Sequence, residues 1–74
     1  MPYYFTKQIK EDIGKNITKI RKRRGLKQVE VAVDAGVNHS YYSKIERGEV
    51  NPSLEKLYAI VKALRVKSSD VLPF

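Results

Sequence analysis

Residues 28–51 read QVEVAVDAGVNHSYYSKIERGEVN, two short runs of helical spacing separated by one glycine. In the first run Val29, Ala32, Val33 and Ala35 are apolar, with Gln28, Glu30 and Asp34 polar between them, the pattern of a short helix packed on one side. Gly36 falls where that helix needs a left-handed residue to end it, a conformation glycine adopts without a Cβ penalty. Val37 then drops toward the core, and Asn38 is a favoured N-cap, starting the next helix by accepting a hydrogen bond from a free backbone N–H. Tyr42 and Ile45, three apart, face the same core. Gly48 supplies a second stop, so the spacing predicts a second helix of roughly ten residues.

Two short helices joined by such a turn make a helix-turn-helix, the unit that sets one helix in the major groove of DNA while the other braces it across the backbone. The outer surface of the second helix carries His39, Ser40, Ser43, Lys44 and Arg47. His39 and Ser43 are four apart, as are Ser40 and Lys44, and the pairs stack into one polar face. Its first residues lie at the helix N-terminus, the end a recognition helix points at base edges.

The flanking chain reads as helix throughout. Ile9, Ile13, Ile17 and Ile20 recur at spacings of four, four and three, an amphipathic stripe that Thr6 can cap and Gly25 should end. Gly14 inside it costs about 1 kcal/mol against alanine and points to close approach by a neighbour. Beyond the motif, Asn51-Pro52-Ser53 opens a helix in which proline is tolerated at the first turn. Leu54, Leu57, Tyr58, Ile60, Val61 and Leu64 give it a broad apolar face. Ser68-Ser69-Asp70 opens a short last helix carrying Val71 and Leu72, stopped by Pro73. The expectation is an all-α fold, five helices in one compact domain over residues 1–74, with residues 1–6 a candidate extended arm.

Composition bounds the function. Forty-two per cent apolar residues in 74 can close one modest core. Without cysteine there is neither a disulfide framework nor a thiolate metal site. No apolar run approaches the roughly 20 residues of a membrane span, and MPYYFTKQIKEDIG lacks a signal-peptide core, which points to a cytoplasmic protein. Fifteen Lys and Arg against eight Asp and Glu leave +7, and six of the fifteen fall between Lys19 and Lys27. A polyanion is the natural partner of such a stripe, a solvated helix face the plain alternative. Catalysis finds little support: His39 is the only histidine, no serine has a base placed beside it, and no metal-ligand spacing exists. Neither metal nor cofactor is expected.

The runs IGKNITKIRKRRGLKQ, AGVNHSYYSKIERG and NPSLEKLYAIVKAL resemble the lambda-repressor-like, Cro-type family of helix-turn-helix regulators, often called the XRE family. The likeness spans Ile13 to Leu72, and its most specific element is Ser43-Lys44-Ile45-Glu46-Arg47-Gly48 followed by Asn51-Pro52-Ser53-Leu54. It implies a five-helix domain with the helix-turn-helix at helices 2 and 3, a homodimer on an inverted-repeat operator, and control of transcription. It further implies that Gln28, with the free N–H groups at its helix start, and Arg47 with Asn51 hold DNA phosphates; Lys27, as a cation at the same helix start, and Asn38 are further phosphate candidates. His39, Ser40, Tyr41, Ser43 and Lys44 occupy the family's base-reading positions; lysine suits guanine O6 and N7, and serine several bases. Tyr41 can equally pack on the first helix with its hydroxyl on a phosphate. Arg21 and Glu46 match an arginine and an acid that form a partly buried ion pair in this family, suited to the planar guanidinium fork.

Three positions depart from the family pattern. Lys27 stands in place of a capping threonine or serine, so that cap is lost. Tyr42 replaces a small aliphatic residue, and its hydroxyl must find a partner or solvent. Arg65 replaces a common glycine, which predicts a differently shaped loop before the last helix. For dimerisation the candidates are Leu64, Val66, Val71, Leu72 and Phe74, with closure of the monomer core as the equal alternative. Tyr3, Tyr4 and Phe5 either pack on the bundle or extend that contact. The rival function is a protein-binding module on the same fold, an antitoxin facing a toxin or an accessory factor bridging other proteins to a promoter, whose DNA binding depends on a partner.

Overall fold

The computed structural model describes residues 5–74, so Tyr3, Tyr4 and most of the candidate arm lie outside the described residues. Five helices follow in order: α1 (Lys7–Arg23), α2 (Gln28–Ala35), α3 (His39–Glu46), α4 (Leu54–Leu64) and α5 (Ser68–Val71). No strand occurs among the described residues. Each start has a local cause. Thr6 Oγ1 accepts from the Ile9 N–H at 3.1 Å, Asn38 Oδ1 from the Tyr41 N–H at 3.2 Å and Ser53 Oγ from the Lys56 N–H at 3.2 Å. Lys27 has no acceptor to offer, and α2 relies on the other half of the motif: Glu30 accepts from the Lys27 N–H at 2.8 Å. Gly36 ends α2 at φ 67, ψ 32, which lets the Val37 N–H reach the Ala32 carbonyl at 2.9 Å. α3 is eight residues long, two shorter than its spacing predicted, because Arg47 and Gly48 already form its closing turn.

One core joins the five. Ile13, Ile17 and Ile20 of α1 meet Val31 and Ala32 of α2, Val37 of the turn, Tyr42 and Ile45 of α3, Leu57, Ile60 and Leu64 of α4, and Val71 of α5. Asn16 Nδ2 donates to the Val71 carbonyl at 2.8 Å and pins α5 to α1. At Gly14 α1 crosses α3 so closely that a Cβ would sit 2.3 Å from the Glu46 carbonyl oxygen. The close approach read from that glycine is therefore with the recognition helix itself.

Several expectations need correction. Val33 and Val29 face solvent, 72% and 45% exposed, whereas Val31 is buried. The inward stripe of α2 is 28, 31, 32 and 35, headed by a polar residue, Gln28, whose side chain is bonded to α3. Likewise α4 turns 57, 60 and 64 inward and leaves Leu54 and Tyr58 largely exposed. Leu64 and Val71, named for a dimer contact, are both 0% exposed and close the monomer core, so they have no surface to offer a second chain. Val66 and Leu72 are half-buried; Phe74 is exposed, its ring tilted against Phe5 at 5.9 Å. Arg65 takes φ 58, ψ 44, the left-handed conformation that glycine adopts most readily, as the one non-glycine with positive φ among the described residues.

Candidate nucleic-acid interface

α3 is held from beneath by one carboxylate. Glu46 Oε2 accepts from Arg21 Nε at 2.7 Å and from the Tyr42 hydroxyl at 2.6 Å, and Oε1 accepts from Arg21 Nη2 at 3.2 Å and Gln28 Nε2 at 2.8 Å. The acid and arginine side chains are only 4% and 11% exposed. Arg21 Nη1 donates further to the Leu26 carbonyl at 2.9 Å, tying the pair to the loop before α2. Burial alone would raise the Glu46 pKa, but the hydrogen bonds from Arg21, Tyr42 and Gln28 outweigh it and hold the carboxyl below its ordinary value. Tyr42 moves the other way: burial, then the neighbouring carboxylate, push its phenol up and keep it a donor. The hydroxyl that the sequence left without a partner thus completes the network, and no buried side-chain polar atom among the described residues is unsatisfied.

This network settles which residues are presented. His39, Ser40 and Lys44 are exposed on the outer side of α3; Asn38, Arg47, Asn51 and Lys27 are exposed around them. Ser43 is half-buried and donates its hydroxyl to Gln28 Oε1 at 2.8 Å. Gln28 therefore has its carbonyl on α3 and one amide N–H on Glu46, leaving the second N–H free at the start of α2. Tyr41 is partly buried and packs against the core. Asn38 spends its carbonyl oxygen on the cap and keeps its amide as a donor.

One participant was missed from the sequence. Glu49, exposed just beyond α3, accepts from Arg47 Nε at 2.7 Å. Their spacing of two residues is not a helical pairing, and the turn at Gly48 brings them together. Lys44 takes part in no ion pair among the described residues. No metal-binding cluster occurs among the described residues, nor any helix long and apolar enough to cross a membrane.

The comparison that decides the family is direct: the helix-turn-helix model HTH_3 matches residues 17–71. The chain belongs to the HTH_3 family. Among relatives of this HTH_3 chain, the immunity repressor protein of Bacillus phage phi105 is 42% identical over 60 residues, covering 81% of this chain and 42% of that protein. The control protein C.BamHI of Bacillus amyloliquefaciens is 34% identical over 70 residues, 93% of this chain and 86% of that one. In three dimensions the HTH_3 chain superposes on the restriction-modification controller protein C.AhdI of Aeromonas hydrophila with a TM-score of 0.82 at 27% identity, over 85% of this chain and 96% of that one. The chain thus spans nearly all of the controller but less than half of the phage repressor. The relatives' names are those of a repressor, a control protein and a controller, a non-enzymatic class, and the controller shares this fold.

Proposed function

We propose that this HTH_3 chain is a sequence-specific DNA-binding regulator of transcription that acts as a dimer on an inverted-repeat operator, α3 lying in the major groove. The observation that carries the reading is the division of charge on α3: its one acid is turned inward onto Arg21, while His39, Ser40 and Lys44 stand exposed with Arg47 and Asn51 following. Lys44 reads guanine O6 or N7, His39 and Ser40 contact neighbouring base edges, and Ser43 contributes mainly by orienting Gln28. Gln28 and Lys27 hold one phosphate at the start of α2; Arg47, Asn51 and the Asn38 amide hold others. The names of the relatives support transcriptional control.

Fluorescence anisotropy with the chain's own upstream duplex and a scrambled duplex of equal length tests this. The expected result is a gap of about a thousandfold at physiological salt, with log affinity falling by roughly 0.9 per log unit of salt for each phosphate held. Lys44→Ala should cost about 1–3 kcal/mol at one operator position, whereas Arg47→Ala should weaken every sequence alike. Equal, weak and salt-labile binding to both duplexes would reject the reading and favour the partner-dependent module.

One eight-residue helix covers few base pairs, which is why a second half-site and a second chain are required. The face that suits a second copy is the strip of Leu54, Tyr58, Val61 and Leu72, of which Leu54 and Tyr58 are 81% and 64% exposed. Glu55 and Lys62 flank it on one edge of α4, seven residues apart, so two antiparallel copies of α4 would set each acid against the other copy's lysine. Tyr58→Glu should shift the sedimentation profile toward monomer without changing helix content; a dimer unaffected by that charge would move the interface elsewhere.

A further inference from the structure

The turn that closes α3 sets a carboxylate beside Arg47, on the face proposed to meet DNA. Gly48, at φ 72, lets the Glu49 N–H reach the Lys44 carbonyl at 2.9 Å, so Glu49 is anchored to the backbone of the residue assigned to base readout. The turn itself has little room to move, since a Cβ on Gly48 would come within 2.9 Å of the Glu11 Cα in α1. From this fixed position Glu49 Oε2 accepts from Arg47 Nε at 2.7 Å and Oε1 accepts from Nη2 at 3.4 Å, a two-pronged grip on one edge of the guanidinium. Both side chains are about half exposed, 53% and 51%, so the grip is open to an approaching anion. Glu49 and a phosphate present the same chemistry to Arg47: two anionic oxygens in the plane of the fork.

We propose that Glu49 is an intramolecular competitor for the phosphate that Arg47 binds, an autoinhibitory contact built into the DNA-binding face. The inference rests on the reading of Arg47 as a phosphate ligand. In the free chain Arg47 is held by Glu49; docking on a duplex exchanges that carboxylate for a phosphate oxygen and leaves Glu49 facing the DNA without its cation. Every duplex is bound more weakly for it, and a +7 chain is thereby kept from adhering indiscriminately to nucleic acid. Because an exposed pair is screened by salt, the restraint is strongest where general phosphate affinity is strongest, at low ionic strength.

The test is Glu49→Gln against the wild type, and the same change in an Arg47→Ala background, by anisotropy on a random-sequence duplex across a salt series. Both partners are exposed, so folding is untouched, and far-UV circular dichroism verifies it. Glu49→Gln should tighten binding roughly three- to tenfold at about 0.05 M salt, with the gain fading at high salt, and by less than about twofold when Arg47 is absent. An equal gain in both backgrounds would make Glu49 a plain repulsive charge and overturn the exchange. Weaker binding by Glu49→Gln would show that the acid orients Arg47 for DNA, and unchanged binding that the pair is idle; each overturns the proposal while leaving Arg47 a phosphate ligand. If Arg47→Ala alone leaves wild-type affinity intact, the underlying reading of Arg47 falls, and this one with it. A measurement without DNA bears on the pair itself: the Glu49 carboxyl, held below its ordinary pKa chiefly by the Arg47 hydrogen bond with a smaller contribution from the Lys44 charge, should rise toward that value in Arg47→Ala when followed by NMR.

Discussion

Glu46→Ala is expected to destabilise the domain by about 3 kcal/mol, the lower end of the cost of breaking a buried pair, since Arg21 keeps some contact with solvent. The substitution leaves a nearly buried guanidinium without its anion, and it strips the Tyr42 hydroxyl and one Gln28 N–H of their acceptor. For a chain this size, whose whole stability is of order 4–11 kcal/mol, that is a large share. Thermal unfolding should register a fall of roughly 12–24 °C. Arg21→Met combined with Glu46→Leu should recover part of the loss, because an apolar pair of similar volume leaves no orphaned charge. A melting curve for Glu46→Ala that overlays the wild type would remove the scaffold role given to this acid.

The same carboxylate sets the sign of a pH dependence. Its folded-state pKa lies below the ordinary value, burial opposing and the Arg21, Tyr42 and Gln28 hydrogen bonds prevailing. Its contribution is therefore complete above the unfolded carboxylate pKa of about 4.3 and is lost as pH falls through the folded one. The difference in melting temperature between wild type and Glu46→Ala should be constant near neutrality and should shrink in acid.

The features legible in the sequence are those whose cause is local. Gly36, Asn38 and Gly48 announce caps and turns through their own conformational preferences, and Val37, Tyr42 and Ile45 follow from position relative to those turns. The rotation of α2 is not local. QVEVAV places valines at every second residue, so two stripes compete, and the inward one is selected by a contact 18 residues away, Gln28 on Glu46. The apolar residues of α4 pose the same ambiguity: Leu57, Ile60 and Leu64 face the core while Leu54 and Tyr58 do not, although all five fit one apolar face by spacing. For the recognition face, residue types marked out the exposed positions, but the sequence could not tell that Ser43 would turn toward Gln28 or that Arg47 would find Glu49. Those partners are chosen by geometry across a turn and between helices.

Gly14→Ala should show how tightly the recognition helix is set by the helix behind it. In an exposed helix interior this change stabilises by about 1 kcal/mol. Here the new Cβ would fall 2.3 Å from the Glu46 carbonyl oxygen and 2.6 Å from that of Ile45, both backbone atoms that cannot rotate aside. Relief requires α1 and α3 to separate by about an ångström, the scale of backbone shift that overpacking a filled core imposes at 1–3 kcal/mol. The separation acts on more than packing, because Glu46 is both the obstructing residue and the anchor of Arg21; moving its backbone stretches a 2.7 Å charge-assisted bond. The two effects add to a net loss of about 3 kcal/mol, with Lys15→Ala on the exposed side of the same helix as the control, expected within about 0.5 kcal/mol of wild type. Since the carbonyls struck are the last two of α3, the displacement falls on the end that carries Lys44 and Arg47. Discrimination between operator and scrambled duplex should therefore decline even at temperatures where Gly14→Ala remains folded. A variant that melts at or above the wild-type temperature would show that α1 and α3 are not in the contact that positions the recognition helix.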